Sequence, residues 1–384
     1  MNELKRHQLV YTLACPVIRV FLKWKFNYEY ESLEEIEGPY LLLANHNLEM
    51  DPLLIGVAVN KQLYFVASEH ITRKGIASWL LMRYLKPIIH KKGKQGIYTI
   101  KEMLKTLKAG TSVCIYPEGN RSFNGVTGEM MPTIGKVARK SGAKLVTYRI
   151  EGGYFTQPRW SKTLRKGKLK GRLMHVYSLE ELKAMTDDEV NEAICKDLYE
   201  DAYATQKKER IAYKGKDLAL GMETTVFSCP DCGRIGTLRS EGNHVFCSCG
   251  FRAEYDVYGD LTDANSKKYT LTELDLLQRK NLESMVEHHQ DATPLFTDDV
   301  TLYEIDVNHQ CSGTTEGTLV AYKDRFECCG KVLSFERMQG VAIYSRNSMV
   351  LHQEGMDGHL EVKAGDHFSA LKYLYLYNLM TKGQ

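Results

Sequence analysis

Residues 39–52 read PYLLLANHNLEMDP, and this stretch decides the fold expected for the first half of the chain. Pro39–Ala44 is a short apolar run, which predicts a buried strand. A polar turn follows, and residues 51–59 then have the composition of a helix with Pro52 in its first turn. The sequence therefore predicts a strand that passes through a polar turn into a helix.

The same alternation of short apolar runs and amphipathic stretches continues over residues 1–222. Further strands are predicted at Leu63–Ala67, Ser112–Tyr116 and Ala143–Ile150, and a helix over 97–107 that Gly110 ends. Strands separated by helices imply an α/β fold with a mostly parallel sheet flanked by helices. Ligands of such sheets bind beyond the carboxyl ends of the strands, where the polar turns lie.

The length of 384 residues predicts two or three domains, because a usual domain has roughly 100 to 200 residues. The sequence pattern divides the chain into three parts. They are residues 1–222, a cysteine-rich module at 223–260 and a third part at 261–384. The sequence TDDE at 186–189 is a capping box, and the helix that it opens is predicted to run towards Lys207. Residues 205–216 are then expected to form a polar linker.

The net charge of +3 conceals two oppositely charged parts. Residues 1–222 contain 36 basic and 24 acidic side chains, a net of +12, whereas residues 223–384 contain 15 and 24, a net of −9. A basic first part suggests an anionic partner, which could be a phosphate, an anionic lipid or a nucleic acid. With 43% hydrophobic and 26% charged residues, the composition excludes a largely disordered or collagen-like chain.

The N-terminal apolar segment, Leu9–Leu22, is too short for a transmembrane helix and contains Pro16 and Arg19. It has no secretory cleavage site, and basic residues flank it on both sides. This composition fits a helix that lies in a membrane interface, and equally a buried first helix of a globular domain. Clustered cysteines in a chain without a secretory signal indicate a reducing compartment and metal ligands rather than disulfides.

His46 and Asp51 stand five residues apart across the predicted turn. A carboxylate in this position can hold one imidazole nitrogen as a donor and leave the other free to accept a proton. Because no serine or cysteine nearby forms an obvious nucleophile, the pair fits a base that activates a substrate hydroxyl. The alternative is a histidine satisfied within the turn, with Asp51 capping the helix.

A second polar stretch, VCIYPEGNRS at residues 113–122, also follows a predicted strand. Gly119 allows close backbone approach, and the planar fork of Arg121 matches phosphate oxygens. The alternative is a Pro-Gly turn with a solvated arginine.

Together these two stretches resemble the glycerolipid acyltransferase family, in particular the 1-acylglycerol-3-phosphate acyltransferases. That family has N-H-x-x-x-x-D and a later [FY]-P-E-G-x-R-S, and both occur here in this order, about seventy residues apart. The resemblance covers roughly residues 1–205. It implies acyl transfer from a thioester, carried by acyl-carrier protein or coenzyme A, to the free hydroxyl of lysophosphatidic acid. The alternative acceptors are glycerol 3-phosphate and another lysophospholipid. His46 would be the general base, Asp51 would orient it, and Glu118, Gly119 and Arg121 would bind the acceptor phosphate.

The sequence departs from the family pattern at two positions. Where the family usually has F-[IV]-[DE]-R, residues 88–93 read IIHKKG, so the resemblance places Lys91 or Lys92 in the role of the phosphate-binding arginine. A lysine keeps the charge without the bidentate fork. The family's V-P-x-x-[IV] is VTYRI at 146–150 and has no proline.

A basic run extends from Arg159 to Arg172 and includes Trp160. Its cations are Arg159, Lys162, Arg165, Lys166, Lys168, Lys170 and Arg172. We interpret it as a surface for an anionic leaflet or an acidic donor; the alternative is a solvated loop. Because no nucleic-acid module is recognisable, a nucleic-acid partner is not expected. An acyltransferase of this kind would work as a peripheral protein at the cytoplasmic face of the membrane.

Four cysteines, Cys229, Cys232, Cys247 and Cys249, form C-x-x-C and C-x-C pairs that are each followed by glycine. This spacing is typical of a zinc ribbon, and four thiolates leave no open position, so the zinc would be structural. The glycines would let backbone amides turn towards sulfur. His244 is expected to lie outside the ligand set.

Beyond residue 300 the apolar residues recur with period two, which predicts strands. Six are predicted: Leu302–Asp306, Thr318–Tyr322, Val332–Phe335, Val341–Tyr344, Met349–His352 and Leu360–Lys363. A helix is predicted before them at Thr272–His288, and another after them at Phe368–Met380, whose tyrosines 373, 375 and 377 are expected to be packing residues. The pattern loosely resembles a pleckstrin-homology-like domain.

The alternative to the enzyme hypothesis is that the protein binds a lipid surface and that its acyltransferase-like domain is inactive.

Overall fold

A computed structural model of the chain describes residues 3–68, 79, 82–90, 96–307 and 310–381. The chain divides into two units: residues 1–158 with 164–214, and residues 159–163 with 215–384. The division after residue 214 lies within the polar stretch at 205–216.

The first unit is built on a seven-stranded sheet with the order β1-β7-β6-β2-β5-β3-β4. Its elements are α1 Glu3–Phe26, β1 Glu29–Tyr30, β2 Tyr40–Ala44, α2 Asp51–Val59, β3 Leu63–Ser68, β4 Ile88–His90, α3 Gly96–Lys108, β5 Ser112–Ile115, α4 Ile134–Lys140, β6 Lys144–Glu151, α5 Gly153–Thr156, β7 Lys170–Tyr177, α6 Leu179–Ala184, α7 Asp187–Leu198 and α8 Ala202–Glu209. All pairings are parallel except that of β6 with β7. The predicted α/β fold with a mostly parallel sheet is confirmed.

Alternate residues of β2 enter two different hydrophobic cores, one on each face of the sheet. Leu42 packs with α1 and α2, whereas Leu41 and Leu43 pack with α3, α4 and α7. This follows from the period-two geometry of a strand that is covered by helices on both sides. All five residues of β2 are buried, which is why the strand reads as a continuous apolar run.

The prediction of one helix that runs from the capping box towards Lys207 is wrong, although the capping box at Thr186 and Glu189 is confirmed. The structure has two helices there, because α7 ends at Leu198 and α8 begins at Ala202. Asp201 caps the second helix by accepting a hydrogen bond from the Ala204 backbone amide at 2.9 Å. The break places Glu200 between the helices, and Glu200 is only 4% exposed there.

Helix α1 has one buried and one exposed face. Tyr11, Cys15, Leu22 and Phe26 are buried in the first unit. The opposite face, called here the outer face of α1, consists of the exposed side chains Leu9, Leu13, Val17, Val20, Phe21 and Trp24. Among the described residues, we find no helix that is both long and apolar enough to cross a bilayer.

The basic run at 159–172 is only partly exposed in the structure. Trp160 and Arg165 are buried, at 0% and 1% exposure, and three further cations pair with carboxylates. The pairs are Lys168–Glu29 at 2.8 Å, Arg172–Glu151 at 3.1 Å and Lys170–Glu209. Much of the positive charge in this run is therefore neutralised within the protein.

The second unit contains two antiparallel sheets and two helices. Its elements are β8 Leu238–Glu241, β9 His244–Cys247, β10 Arg252–Tyr255, β11 Leu261–Asp263, β12 Lys268–Tyr269, α9 Leu271–His288, β13 Phe296–Ile305, β14 Cys311–Ala321, β15 Arg325–Cys328, β16 Lys331–Ser334, β17 Met338–Ser345, β18 Ser348–Gln353, β19 His359–Ala364 and α10 Ala370–Thr381. The C-terminal sheet has the order β16-β15-β14-β13-β19-β18-β17. It therefore has seven strands rather than the six predicted, because β15 was missed, and the final helix is confirmed.

The tyrosines of α10 are packing residues, as predicted. Tyr373 and Tyr375 are 0% and 7% exposed, and their hydroxyl groups donate hydrogen bonds to Asp298 at 2.6 Å and Asp275 at 2.7 Å. A buried hydroxyl without such a partner would cost free energy, so each acid lets a tyrosine pack in the core.

Candidate active site

The loop between β2 and α2 is organised around the carboxylate of Asp51, which is fully buried. One oxygen, Oδ2, lies 2.8 Å from Nδ1 of His46 and accepts hydrogen bonds from the backbone amides of Asn47 at 2.8 Å and Leu48 at 3.1 Å. Helix α2 has Met50 as its N-cap and no side-chain capping hydrogen bond. Asp51 thus serves the loop and His46, and the alternative in which it caps the helix is not observed.

The carboxylate defines the protonation of the His46 ring. Because Oδ2 of Asp51 can only accept, Nδ1 carries the proton and Nε2 is left as the acceptor. The ring stacks on that of Tyr116, with centroids 4.6 Å apart and planes inclined by 20°. Its side chain is 23% exposed, so the imidazole is fixed on one side and accessible on the other.

The loop after β5 holds the backbone of His46 at both its amide and its carbonyl group. Glu118 accepts a hydrogen bond from the His46 amide through Oε1, and another from the Gly128 amide through Oε2, each at 2.7 Å. The Ser122 amide donates to the His46 carbonyl at 3.0 Å. Burial raises the pKa of Glu118 to about 8, and these two amide bonds oppose the rise. The structure therefore brings the two sequence motifs together at His46.

Gly119 and Arg121 lie on the same loop, after Glu118. Gly119 has φ +66°, and a β-carbon there would meet no atom within 4 Å, so the backbone faces open space. The Arg121 side chain is 13% exposed, and its Nη2 lies 3.4 Å from Oε1 of Glu49, which is 64% exposed. Burial lowers the pKa of Arg121. Lys91 and Lys92 lie outside the described residues.

Glu200 also belongs to this region, although no motif in the sequence pointed to it. Its Oε2 accepts hydrogen bonds from the side-chain amides of Asn45 at 3.2 Å and Asn47 at 2.5 Å, the two neighbours of His46. Its Oε1 accepts from the Gly152 amide at 3.2 Å. Burial raises the pKa of Glu200 to about 8, whereas the bonds from Gly152 and Asn47 lower it.

The second unit contains a cluster of four thiol groups, those of Cys229, Cys232, Cys247 and Cys249, whose sulfur atoms all lie within 4.8 Å of one another. The following glycines, Gly233 and Gly250, have φ of +69° and +105°, the backbone form expected for them. Nε of Arg234 donates to the Cys232 sulfur at 3.4 Å and lowers the pKa of that thiol to about 6. His244 does not belong to the cluster.

Comparison with known proteins finds acyltransferases that are similar to part of the first unit. Residues 25–151 match the family model described as Acyltransferase, a range that contains every residue of the β2–α2 loop and of the loop after β5 named above. Over 137 residues the chain is 26% identical to the chloroplastic 1-acyl-sn-glycerol-3-phosphate acyltransferase LPAT1 of Arabidopsis thaliana. The aligned stretch is 35% of this chain and 38% of that relative. The chain thus spans less than two fifths of the relative's length.

Among solved structures, the 1-acyl-sn-glycerophosphate acyltransferase PlsC of Thermotoga maritima aligns with a TM-score of 0.42 and 23% identity, covering 50% of this chain and 79% of that one.

The fold places the His46–Asp51 pair in a polar loop beyond the carboxyl end of a parallel strand. Over the matched range the chain is similar to acyltransferases, in agreement with the resemblance of its two motifs.

Proposed function

We propose that this protein transfers a fatty acyl group from an acyl thioester to the free hydroxyl of lysophosphatidic acid, giving phosphatidic acid for phospholipid biosynthesis. The observation that carries the proposal is the 2.8 Å contact between His46 Nδ1 and Asp51 Oδ2 beyond the carboxyl end of β2. It leaves Nε2 of a partly exposed imidazole as the proton acceptor. A relative named for 1-acyl-sn-glycerol-3-phosphate acylation supports the choice of acceptor.

The reaction requires one base and no covalent enzyme intermediate. Nε2 of His46 removes the proton of the acceptor hydroxyl as that oxygen attacks the thioester carbonyl carbon. The carbon–sulfur bond then breaks, and the thiolate leaving group takes the proton back from the imidazolium. Asp51 stabilises the transient positive charge on the ring through its bond to Nδ1.

The acceptor phosphate is proposed to bind at the loop after β5. Arg121 supplies the guanidinium group, Gly119 supplies accessible backbone, and Glu118 shapes the site by holding the loop against His46. The exposed Glu49 carboxylate at 3.4 Å is a weak partner for Arg121, so a phosphate with two negative charges can replace it. Lys91 and Lys92 are proposed to add positive charge at the same phosphate.

A thioester-release assay tests the proposal with lysophosphatidate and glycerol 3-phosphate as acceptors, and with acyl-coenzyme A and acyl-carrier protein as donors. We expect release with lysophosphatidate and a loss of about a hundredfold or more in His46→Ala. The control variant is His175→Ala, which removes a half-exposed histidine of β7 in the same unit. Substantial activity in His46→Ala would refute the base assignment.

The other outcomes separate the alternatives. Faster release with glycerol 3-phosphate or another lysophospholipid would change the acceptor and keep the reaction. No release with any combination, from a protein that still binds lipid vesicles, would favour an inactive lipid-surface protein.

We propose further that the protein works as a peripheral protein at the cytoplasmic face of the membrane. The outer face of α1 supports this, because its apolar side chains are 39% to 71% exposed and two lysines, Lys23 and Lys25, occur in its last turn. An amphipathic helix of this composition binds an interface through its apolar face, and nearby cations add attraction to anionic lipid.

The four-cysteine cluster is proposed to hold one structural zinc ion. Tetrahedral zinc with Zn–S distances of about 2.3 Å requires sulfur atoms roughly 3.8 Å apart. The Cys229–Cys249 and Cys232–Cys247 sulfur distances are 3.6 and 3.9 Å, which fits this requirement. Bound zinc would cross-link the C-x-x-C and C-x-C pairs and take no part in acyl transfer. Metal analysis of freshly purified protein tests this, and an absence of zinc would refute it.

A further inference from the structure

The carboxylate of Glu200 is surrounded by hydrogen-bond donors. Its three partners are the side-chain amides of Asn45 and Asn47 and the backbone amide of Gly152. The orientation of the Asn45 amide is fixed independently, because its Oδ1 accepts from the Ile150 backbone amide at 2.7 Å. The Asn45 nitrogen must therefore point towards Glu200 as a donor.

A carboxyl group can satisfy all of these donors at once, because both of its oxygens accept hydrogen bonds. A glutamine at the same position would place its NH₂ group either against the two asparagine amides or against the Gly152 amide. Either arrangement leaves buried donors facing each other, which costs free energy in the interior. The contacts at position 200 are thus specific for a carboxyl group, and an amide of the same size does not satisfy them.

A short chain of contacts connects Glu200 to the reacting group. Oε2 of Glu200 holds the Asn47 side chain, and the Asn47 backbone amide donates to the same Asp51 oxygen that binds His46 Nδ1. On the other side of His46, Asn45 is held by Glu200 and by both polar groups of the Ile150 backbone. The residues that flank His46 are therefore fastened to one carboxylate.

We infer that Glu200 is a positioning residue for the His46–Asp51 pair and acts through Asn45 and Asn47. This inference rests on the proposed function, because it assigns Glu200 a part in the acyl transfer that His46 would catalyse. Glu200 holds the loop in the geometry in which the imidazole accepts the proton. Small displacements of a reacting group are costly, so the loss of this support lowers the turnover rate without removing substrate binding.

The experiment compares Glu200→Gln with Asp197→Asn. Asp197 is a half-buried acid at the end of α7 that accepts hydrogen bonds from Thr147 and Tyr177, at 2.7 and 2.8 Å, and its hydrogen bonds do not involve Asn45 or Asn47. Assayed above the pKa of Glu200, we expect Glu200→Gln to lower kcat by about tenfold to a hundredfold, with the KM for the acceptor within about twofold. Asp197→Asn should keep kcat close to that of the unchanged protein.

A second readout does not depend on activity. The Nδ1 proton of His46, bonded to a carboxylate, should give a low-field proton resonance that is assigned by its absence in His46→Ala. We expect Glu200→Gln to lose or shift it and Asp197→Asn to keep it. If the protein transfers no acyl group but the resonance behaves in this way, the proposed function fails and the positioning role stands.

Three results would overturn the inference: an unchanged resonance in Glu200→Gln, an unchanged kcat, or equal losses of kcat in both variants in proportion to a lower thermal midpoint. If Glu200→Gln does not fold, Asn47→Ala removes the middle contact instead and should reproduce the loss of kcat. If both variants fold, the losses of kcat from Glu200→Gln and Asn47→Ala should be far less than additive in a double-mutant cycle, because both substitutions break the same chain of contacts.

Discussion

The ring of Tyr116 stacks on the ring of His46, with centroids 4.6 Å apart and planes inclined by 20°. Tyr116 immediately follows β5 and His46 lies two residues beyond β2, and these strands are paired in parallel. The pairing therefore brings an aromatic face to one side of the imidazole while Asp51 holds its edge. In the proposed reaction, an aromatic ring in this position would also stabilise the imidazolium formed by proton transfer.

Removing the Tyr116 ring should slow the reaction more than removing its hydroxyl group. We expect Tyr116→Ala to lower kcat by about tenfold, because an aromatic contact of this kind is worth about 0.5 to 1.5 kcal/mol and its loss also leaves His46 free to rotate. Tyr116→Phe keeps the stacked ring and should stay within about threefold of the unchanged protein. Steady-state kinetics with lysophosphatidate measure both variants, and equal losses would contradict a role for the ring itself.

Asp51→Asn should nearly abolish activity while the strand–turn–helix remains folded. The amide oxygen can still accept from the loop amides, but the substituted group can donate to Nδ1 and favour the wrong imidazole tautomer. It also withdraws the charge that stabilises the imidazolium. We expect kcat to fall by about a hundredfold or more, with circular dichroism unchanged. Asp197→Asn, at an acid whose hydrogen bonds involve neither His46 nor Arg121, is the control and should retain turnover.

The local parts of the site could be predicted from the sequence because they depend on residues that are close together along the chain. The apolar run of β2, the turn with His46 and Asp51, and the glycines after each cysteine pair all depend on short-range patterns. Glu200 could not, because it is 155 residues from Asn45 and its position depends on a helix break in a stretch with helical composition. The partial neutralisation of the basic run could not be predicted either, because ion pairing with distant acids leaves no signal in the sequence.

Two buried carboxyl groups predict how the stability of the protein depends on pH. The pKa of Glu200 is raised to about 8 in the folded state, and that of Glu118 is raised to the same extent. Between the ordinary carboxyl pKa and about 8, the folded state holds protons that the unfolded state has released, so stability falls as pH rises through this window. One such group contributes at most about 1.4 kcal/mol per pH unit.

Glu200→Gln isolates one of these contributions. The variant cannot titrate at this position, so its thermal midpoint should fall less with rising pH than that of the unchanged protein. Glu118→Gln should give a difference of the same sign. Parallel midpoint curves for Glu200→Gln and the unchanged protein between about pH 5 and 8 would contradict the raised pKa.

Removing the metal should destabilise the second unit and spare the first. Without zinc, the four thiolates would repel one another and the two cysteine pairs would lose their cross-link. A chelator should therefore lower the thermal midpoint of that unit. Cys247→Ser should purify with less zinc and unfold at a lower temperature. Cys195→Ser, at a cysteine on α7 outside the cluster, should bind as much zinc as the unchanged protein. Equal zinc content in both variants would exclude the cluster as the site.

The outer face of α1 should determine binding to lipid vesicles. Val17 and Trp24 are 71% exposed, so changing them to serine and alanine removes apolar contact with lipid and costs little packing within the protein. We expect Val17→Ser/Trp24→Ala to lower the fraction that sediments with anionic vesicles by about tenfold, since burying one large apolar side chain is worth about 1.5 to 3 kcal/mol. Leu276→Ser removes a 58% exposed leucine of α9 in the second unit and is the matched control. If both variants sediment like the unchanged protein, α1 is not the membrane-binding element.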